Sequence, residues 1–600
     1  MKRKALYHIL GAAILLTLTR PGSVFSVDSL PSANGLCRVQ YDSKSGAVVD
    51  FRAHLSDLFE AGRSTENELE RSSFILRVSG RTIDLARIPV RRTGYVSGTG
   101  IILIEYRTAS IEIEAYIWVP MTMEHKVLIQ LLHVRGADPR ILSSGDIDPL
   151  VKPVSIPSPF EIYRIEQTSR ESFWVGAAIL YTPGLVQAVR RRLGDELMRA
   201  RPQLLLEAEQ RWWMHWHRME KVDPEIRDQS YETLLQSAAW LKMAQSREPG
   251  GGYGQIVSHL GRSGDNMAVP RDMAYAIIGL SCLGHFPEAR RALRFMLDAG
   301  GGRYGSFQRR GIEWGMGGEY CISLSHYTGA GYERAAFREE APLLQFEGQG
   351  LFLWALESYV TASSDLEFAA RYWDRLHSGV IDPLLDSLDE RGLVRRDSGI
   401  WNVPFPGEHN SYTSASAFRG LTSAALLART LGRVDLARKY TEAASLLRER
   451  ILSELTLKRS KLLKRSLEAD AFPGLLDGTA VEAINWELVK PFWNTARSIH
   501  RALDLYLSCG EGEGRGYSLS HAPEGQRREN LFVTLRAVEA LYRLGEKHKS
   551  RQLLAGAIRR LGSSARMVPE QFDHTGGAPA GDCPVIGLGA APFILAVTYP

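Results

Sequence analysis

Between Arg38 and about Leu185 the apolar positions follow a short period. "SFILRVSG", "GIILIEYRTASIEIEAYIWVP" and "HKVLIQLLHV" are rich in β-branched residues and partly alternate, with Gly, Pro, Asp and Ser between them. Such runs, with no long helical pattern among them, predict an antiparallel β-sandwich. The spacing then changes. "VQAVRRRLGDELMRARPQLLLEAEQRWWMHWHRM" repeats at helical intervals and predicts a linker helix over 191–223. From about Pro224 onward the chain reads as almost all helix, and the helices come in pairs. An apolar member such as "MAYAIIGLSCLG" is followed by a charged, amphipathic one such as "PEARRALRFMLDAG". Many segments stop at Gly, a common helix terminator. Buried and surface helices in alternation predict an inner and an outer ring, closing as an (α/α)6 toroid. An open solenoid would keep a fixed repeat length, and these segments do not.

Length adds little beyond a multidomain architecture: 600 residues is too many for one ordinary domain. The apolar share of 44% and charged share of 24% allow a large core and exclude general disorder. A net charge of +5, spread along the chain without a Lys/Arg stripe carrying interleaved aromatics, gives no reason to expect nucleic acid. Residues 1–26 read as an export signal: Lys2, Arg3 and Lys4, then "ALYHILGAAILLTLT", then small residues at Val24 and Ser26. The expectation is an exported protein, periplasmic or extracellular, touching a membrane only through that segment if it stays uncleaved. The domains are then 27–190 (sandwich), 191–223 (linker) and 224–600 (toroid). Cys37, Cys282, Cys321, Cys509 and Cys583 are isolated from one another and form no disulfide framework. Cys282 and Cys509 sit in apolar helical segments and are expected in the core. His215 and His217 lie two apart, so they do not share a helix face and are not expected to bind metal.

The loops leading into the apolar helices hold the chemistry. They are "EPGGGYGQIVSHLGRSGDNMAVPRD", "SFQRRGIEWGMGGEYCISLSHYTGAG", "LLQFEGQG", "DSGIWNVPFPGEHNSY" and "MVPEQFDHTGGAPAGD". A toroid would gather them at one end, as a concavity rimmed with Trp, Tyr, Arg, Asp and Glu. Aromatic faces can stack on sugar rings, while Arg and carboxylates take hydroxyls. No metal-ligand spacing, phosphate loop or nucleophile motif competes. The glycines at 250–254 follow a helix, which excludes a dinucleotide motif.

Four of these segments carry a family resemblance. "PRDMAYAIIGLSCLGHFPEARRALRFML", "QFEGQGLFLWAL", "DSGIWN" and "VPEQFDHTGGAPAGD" resemble, in family order, the Trp-Pro-Arg-Asp, Gln-x-Asp-Gly, Gly-Ile-Trp-Glu and C-terminal Glu-Gln segments of glycoside hydrolase family 15, the glucoamylase family. They cover most of residues 224–600, and the preceding β-domain and helix match the layout of the bacterial members. The resemblance implies the six-hairpin toroid, an oligosaccharide or polysaccharide substrate, no cofactor, and cleavage of α-glucosidic or related bonds with inversion. Inversion needs one protonated carboxyl for the leaving oxygen and one carboxylate for the attacking water, roughly 6.5–9.5 Å apart.

By the same resemblance Glu570, with Gln571 beside it, matches the general base, and Arg271 and Asp272 match the pair that grips the terminal sugar's hydroxyls. Gln345, Glu347 and Trp401 match pocket positions, although the family usually has Asp where Glu347 stands. The acid Glu is replaced by Asn402, which cannot donate a proton as a general acid. Three readings stay open. Glu408, further along the same loop, takes the role provisionally; or Glu347, Glu313 or Glu319 does; or the acid is gone and the protein binds carbohydrate without efficient turnover. Trp401 and Trp314 are aromatic candidates for the site, whereas Trp354, inside an apolar helix, is expected in the core.

Overall fold

The computed structural model describes residues 28–598 apart from 57–65, 79, 109–110, 138–141, 170, 219–228, 262–265, 300–307, 310–311, 314–318, 339–340, 405, 511–515, 523–525 and 574–577. The expected export segment therefore lies outside the described residues. The described chain forms two compact units, one of residues 28–55 and 66–218, the other of Ser56 and the residues beyond 228.

The first unit is the β-sandwich. Strands β1 (Ser29–Ala33), β2 (Arg38–Asp42), β3 (Ala47–Arg52), β4 (Leu69–Val78) and β5 (Arg81–Asp84) belong to one sheet; β6 (Val90–Tyr95), β7 (Ile102–Tyr106), β8 (Glu112–Trp118) and β9 (Val127–Arg135) to the other. β10 (Ile147–Pro153) returns to the first sheet, and β11 (Phe160–Thr168) and β12 (Ser172–Tyr181) complete the second, in the order β11-β12-β9-β8-β7-β6. The registered strand pairs are antiparallel. β9 explains why alternation was only partial in the sequence. Gln130 faces the sandwich interior, where its Oε1 accepts from Ser72 Oγ at 2.7 Å. Ile129 and Leu131 on the opposite face pack with Leu197 and Leu206 of two helices. A strand covered on both faces needs apolar residues at nearly every position.

Those helices replace the single one expected over 191–223. They are α1 (Gln187–Arg199) and α2 (Pro202–His217), with Arg201 extended between them. Pro202 is the cause: its ring disfavours helical backbone at the preceding residue. Buried Glu209 secures α2, its Oε1 accepting from Met121 N at 3.0 Å and Trp213 Nε1 at 3.0 Å. His217 contacts the Gly98 carbonyl at 2.6 Å.

The second unit is helical. α3 (Gln229–Met243), α5 (Phe286–Asp298), α8 (Val434–Glu454), α9 (Asn494–Ala502) and α11 (Lys547–Ser563) alternate in sequence with more buried helices: α4 (Pro270–Leu283), α6 (Glu347–Ser363), α7 (Ser411–Thr430), α10 (Leu531–Arg543) and α12 (Ala591–Thr598). A run of short helical turns over Leu366–Asp386 takes an outer place, and the turns of Gly478–Asn485 take an inner one. The inner elements touch in a closed cycle: α4 to α6, α6 to α7, α7 to the 478–485 turns, these to α10, α10 to α12, and α12 back to α4. This is the toroid that the paired helices predicted. Sequence punctuation is visible at α4, where Pro270 opens the first turn and left-handed Gly284 (φ 86°) closes the last. The ring's interior is not purely apolar. Arg536 Nε and Nη2 reach Glu482 Oε1 and Oε2 at 2.6 and 3.0 Å, and Tyr275 donates to the same carboxylate at 2.7 Å. Charges this deep are tolerated only when paired.

Candidate active site

The head of α4 sets the site. Val269 is extended, Pro270 starts the helix, and Arg271 and Asp272 fall in the first turn. A carboxylate there is favoured by the amide dipoles. Both side chains are almost fully buried. Arg271 Nε donates to Asp272 Oδ1 at 3.2 Å, and Nη1 to Glu347 Oε1 at 3.0 Å. Glu347 opens α6 and is 0% exposed. A side chain on Gly348 would come within 2.9 Å of Pro270 Cβ, so the two helix heads touch. Burial works against the Arg271 charge, but Asp272 and Glu347 outweigh it and hold the guanidinium above its ordinary value. Burial raises the Glu347 carboxyl, with Arg271 drawing it part of the way back. Its second oxygen, Oε2, is buried without a hydrogen-bond partner.

Glu570 reaches the same place from the C-terminal segment. Its N–H donates to the Asp582 carbonyl at 2.8 Å, and its carbonyl accepts from Leu531 N at 3.1 Å, at the head of α10. Gly581 makes room for the carboxylate, since a Cβ there would lie 2.3 Å from Glu570 Oε2. Gly587 brings this segment against α4, its Cα standing so close that a Cβ would meet the Asp272 carbonyl oxygen at 2.1 Å. Partial burial, then the Asp582 and Asp272 carboxylates, push Glu570 above the usual carboxylate range, and the Gln571 side chain hydrogen-bonds it. Glu570, Gln571, Asp272, Arg271 and Glu347 thus form one continuous cluster from three segments far apart in sequence.

The Gly-Ile-Trp loop adjoins it through Gln345. Asp397 and Glu408 close its neck with reciprocal backbone bonds of 3.0 and 2.9 Å. Gly407 is required there, because a Cβ would meet the Asp397 carbonyl at 2.0 Å. Asn402 is left-handed (φ 51°), and its Oδ1 accepts from Gln345 Nε2 at 2.8 Å; the same amide donates to the Gly399 carbonyl at 3.3 Å. Trp401 donates from Nε1 to Asp477 Oδ2 at 3.4 Å, and the Arg465 guanidinium lies 5.5 Å from its ring centre. Glu408 points to the neck instead, both oxygens accepting from Arg465 Nη2 at 2.8 and 2.9 Å.

Glu319 is exposed. The side chain of Glu313 and the whole of Trp314 lie outside the described residues. Trp354 packs in the inner ring, 5.5 Å from Tyr275 and 5.7 Å from Trp486 between ring centres. Among the described residues no group of His, Cys, Asp or Glu is placed to hold a metal ion.

Two carboxyls at the site escaped the sequence reading. Asp397 is 1% exposed and accepts from Phe346 N, Asn410 Nδ2 and Thr413 Oγ1 at 3.1, 2.8 and 3.0 Å. Burial, then Glu347 nearby, lifts it well above the carboxylate range. It opens the quoted "DSGIWN" segment, but nothing in the spacing marks it as the residue that ties this loop to the head of α6. Asp477 caps the 478–485 turns, Oδ1 accepting from Thr479 N and Oγ1 at 2.8 and 2.7 Å, and burial pushes it up to about 6. Asp-Gly-Thr is a helix-start pattern; its link to Trp401 is not legible in sequence.

No protein-family model and no curated protein matches the chain. Solved structures do. A bacterial glucoamylase complexed with acarbose aligns over 97% of this chain and 95% of its own, with a TM-score of 0.68 and 12% identity. A putative kojibiose phosphorylase from human microbiome aligns over 96% and 87%, with a TM-score of 0.53 and 11% identity. A glycosidase variant in complex with glucose aligns over 63% of this chain and 99% of its own, with a TM-score of 0.50 and 16% identity. The chain therefore shares the fold of that glucoamylase, a β-sandwich followed by an (α/α)6 toroid.

Proposed function

We propose that the protein is a glycoside hydrolase that cleaves α-glucosidic or related bonds by a single displacement with inversion. The observation that carries this reading is the cluster in which Glu570, raised by partial burial and by Asp582 and Asp272, adjoins the Arg271–Glu347 pair. A base works best with a pKa near the working pH, and these neighbours move Glu570 in that direction. Arg271 and Asp272 would hold the hydroxyls of the sugar being attacked. Gln345, Trp401, Asn402 and Gln571 would line the pocket, with Glu347 behind them fixing Arg271. The solved neighbours include proteins bound to acarbose and to glucose, which supports a carbohydrate ligand here. Glu408 is withdrawn from the acid's role in this reading, because Arg465 engages both its oxygens.

The test is sugar release. Wild-type protein should liberate sugar from some member of a panel of disaccharides, glucans and activated glycosides. Glu570→Gln should lose turnover by at least ~10²-fold while keeping ligand affinity. A second reading, a non-catalytic glycan-binding protein, is favoured by one observation: the acid's expected place holds an amide. It predicts saturable binding, no release from any member of the panel, and a Glu570→Gln effect on affinity alone.

A further inference from the structure

The loop at Trp401 offers a hydrogen bond where acid catalysis needs a proton. Asn402 accepts from Gln345 through its Oδ1, which leaves its Nδ2 as a donor. Its backbone is left-handed, a conformation that Asn adopts readily and Glu resists, at roughly 1–2 kcal/mol. The loop is shaped for the amide.

Among the described residues, no carboxyl around the loop is both exposed and uncommitted. Glu408 is ion-paired through both oxygens with Arg465. Asp477 is 6% exposed and accepts at both oxygens, from Thr479 and from Trp401. Asp397 is 1% exposed and committed to Phe346, Asn410 and Thr413. Glu347 is 0% exposed and bound to Arg271. Among the described residues, the loop sets a neutral amide beside the candidate cluster, and Arg465, over the Trp401 ring, is ion-paired with Glu408.

We infer that the site acts on glycosides whose leaving group departs as a stable anion, glycosyl phosphates being the class. The inference rests on Glu570 being the base. Water attacks the anomeric carbon and gives one proton to Glu570. The anomeric C–O bond breaks, and its electron pair leaves on the phosphate oxygen. The ester reacts as its monoanion and leaves as hydrogen phosphate, a far weaker base than a sugar alkoxide, so no proton need be donated to it by the protein in the transition state. The Asn402 Nδ2 supplies a hydrogen bond to that oxygen. The products are a sugar of inverted anomeric configuration and inorganic phosphate, and the proton on Glu570 returns to solvent.

The experiment uses the full chain and a panel of hexosyl 1-phosphates and hexosyl fluorides in both anomers, with the matching methyl glycosides and disaccharides. General acid catalysis is worth ~10²–10⁴-fold. Phosphates and fluorides should therefore turn over with kcat/KM at least ~10²-fold above the methyl glycosides and disaccharides, and Glu570→Gln should abolish both. Asn402→Glu should narrow that ratio at least ~10-fold if the loop accepts it; the wild-type panel decides the matter without the variant. Disaccharide cleavage as fast as fluoride cleavage would overturn the inference, revealing a working acid, and leave the hydrolase reading intact. Fluoride turnover without phosphate turnover would overturn the choice of phosphate. No turnover of any member, with saturable sugar binding, would overturn the hydrolase reading itself and this inference with it.

Discussion

Gly350→Ala isolates the contact that positions Glu347. Gly350 lies three residues into α6, where α6 crosses α7. A Cβ there would lie 2.3 Å from the Ser416 carbonyl oxygen, 2.6 Å from its carbon and 2.9 Å from Ala417 N. From the other helix, a Cβ on Gly420 would lie 2.5 Å from Gly350 Cα. Every obstructing atom is backbone, so no side chain can swing away, and the helices must separate by about 1 Å to restore ordinary contact. Helix propensity alone predicts a gain of about 1 kcal/mol for Ala over Gly. Overpacking a buried contact costs about 1–3 kcal/mol, and more when backbone must move. The steric term should win, for a net loss of about 2 kcal/mol. Spread over a helical unit of about 370 residues, that is a fall of roughly 2–3 °C in Tm, from an unfolding entropy of about 2.1 cal/mol/K per residue. The control is Gly562→Ala in α11, where nothing beyond its own helix backbone lies within 4 Å of the added Cβ and propensity acts alone. Thermal unfolding by circular dichroism should place Gly350→Ala below wild type and Gly562→Ala at or above it. Sugar affinity should also weaken in Gly350→Ala, because a shifted α6 carries Glu347 away from Arg271. A Gly350→Ala protein as stable as wild type would refute the close crossing.

Further outcomes follow from the charges. Arg271→Leu strands Glu347 at 0% exposure and should cost about 3–5 kcal/mol, whereas Arg271→Leu combined with Glu347→Leu should recover much of it; guanidinium chloride unfolding of both variants checks this. Glu570 is raised, so activity should fall as pH drops through a value above its ordinary ~4.3; an acidic limb at or below that value in the kcat/KM profile would contradict the crowding by Asp582 and Asp272. Asp477 is raised to about 6 from an unfolded value of about 3.9, so its contribution to stability is full below pH 4 and is lost as pH rises through 6. The loss is about 3 kcal/mol. Asp477→Asn should flatten the change in stability between pH 4 and pH 7 by about that amount; an unchanged pH dependence would refute it.

Elements were more legible in the sequence than contacts. Alternating apolar residues marked the sandwich, and Pro270 with Gly284 bracketed α4, because those signals act within a few residues. The break at Pro202 was also local, but a strong helical period on both sides concealed it. The π-helical turns at His377–Ile381, Leu503–Leu507 and Ile586–Ala590 left no mark in the periodicity. At the site, the residues singled out by motif order, Arg271, Asp272, Glu347 and Glu570, are brought together. The Arg465 partner of Glu408 stands 57 positions away, and nothing in either local sequence announces the pair. Asp397 and Asp477 were hidden for the same reason. Asp397 meets Phe346, Asn410 and Thr413 only in the folded ring; the Thr479 cap of Asp477 is local, and what is hidden there is the contact with Trp401, 76 positions away.

Glu570 as the base of an inverting displacement is the central proposal. Proton NMR of the first sugar released from a glycosyl fluoride, recorded before mutarotation, tests it most directly. The anomer opposite to the substrate's is expected, with loss of that signal by at least ~10²-fold in Glu570→Gln and binding kept. A product of retained configuration, or a Glu570→Gln protein as fast as wild type, would contradict it.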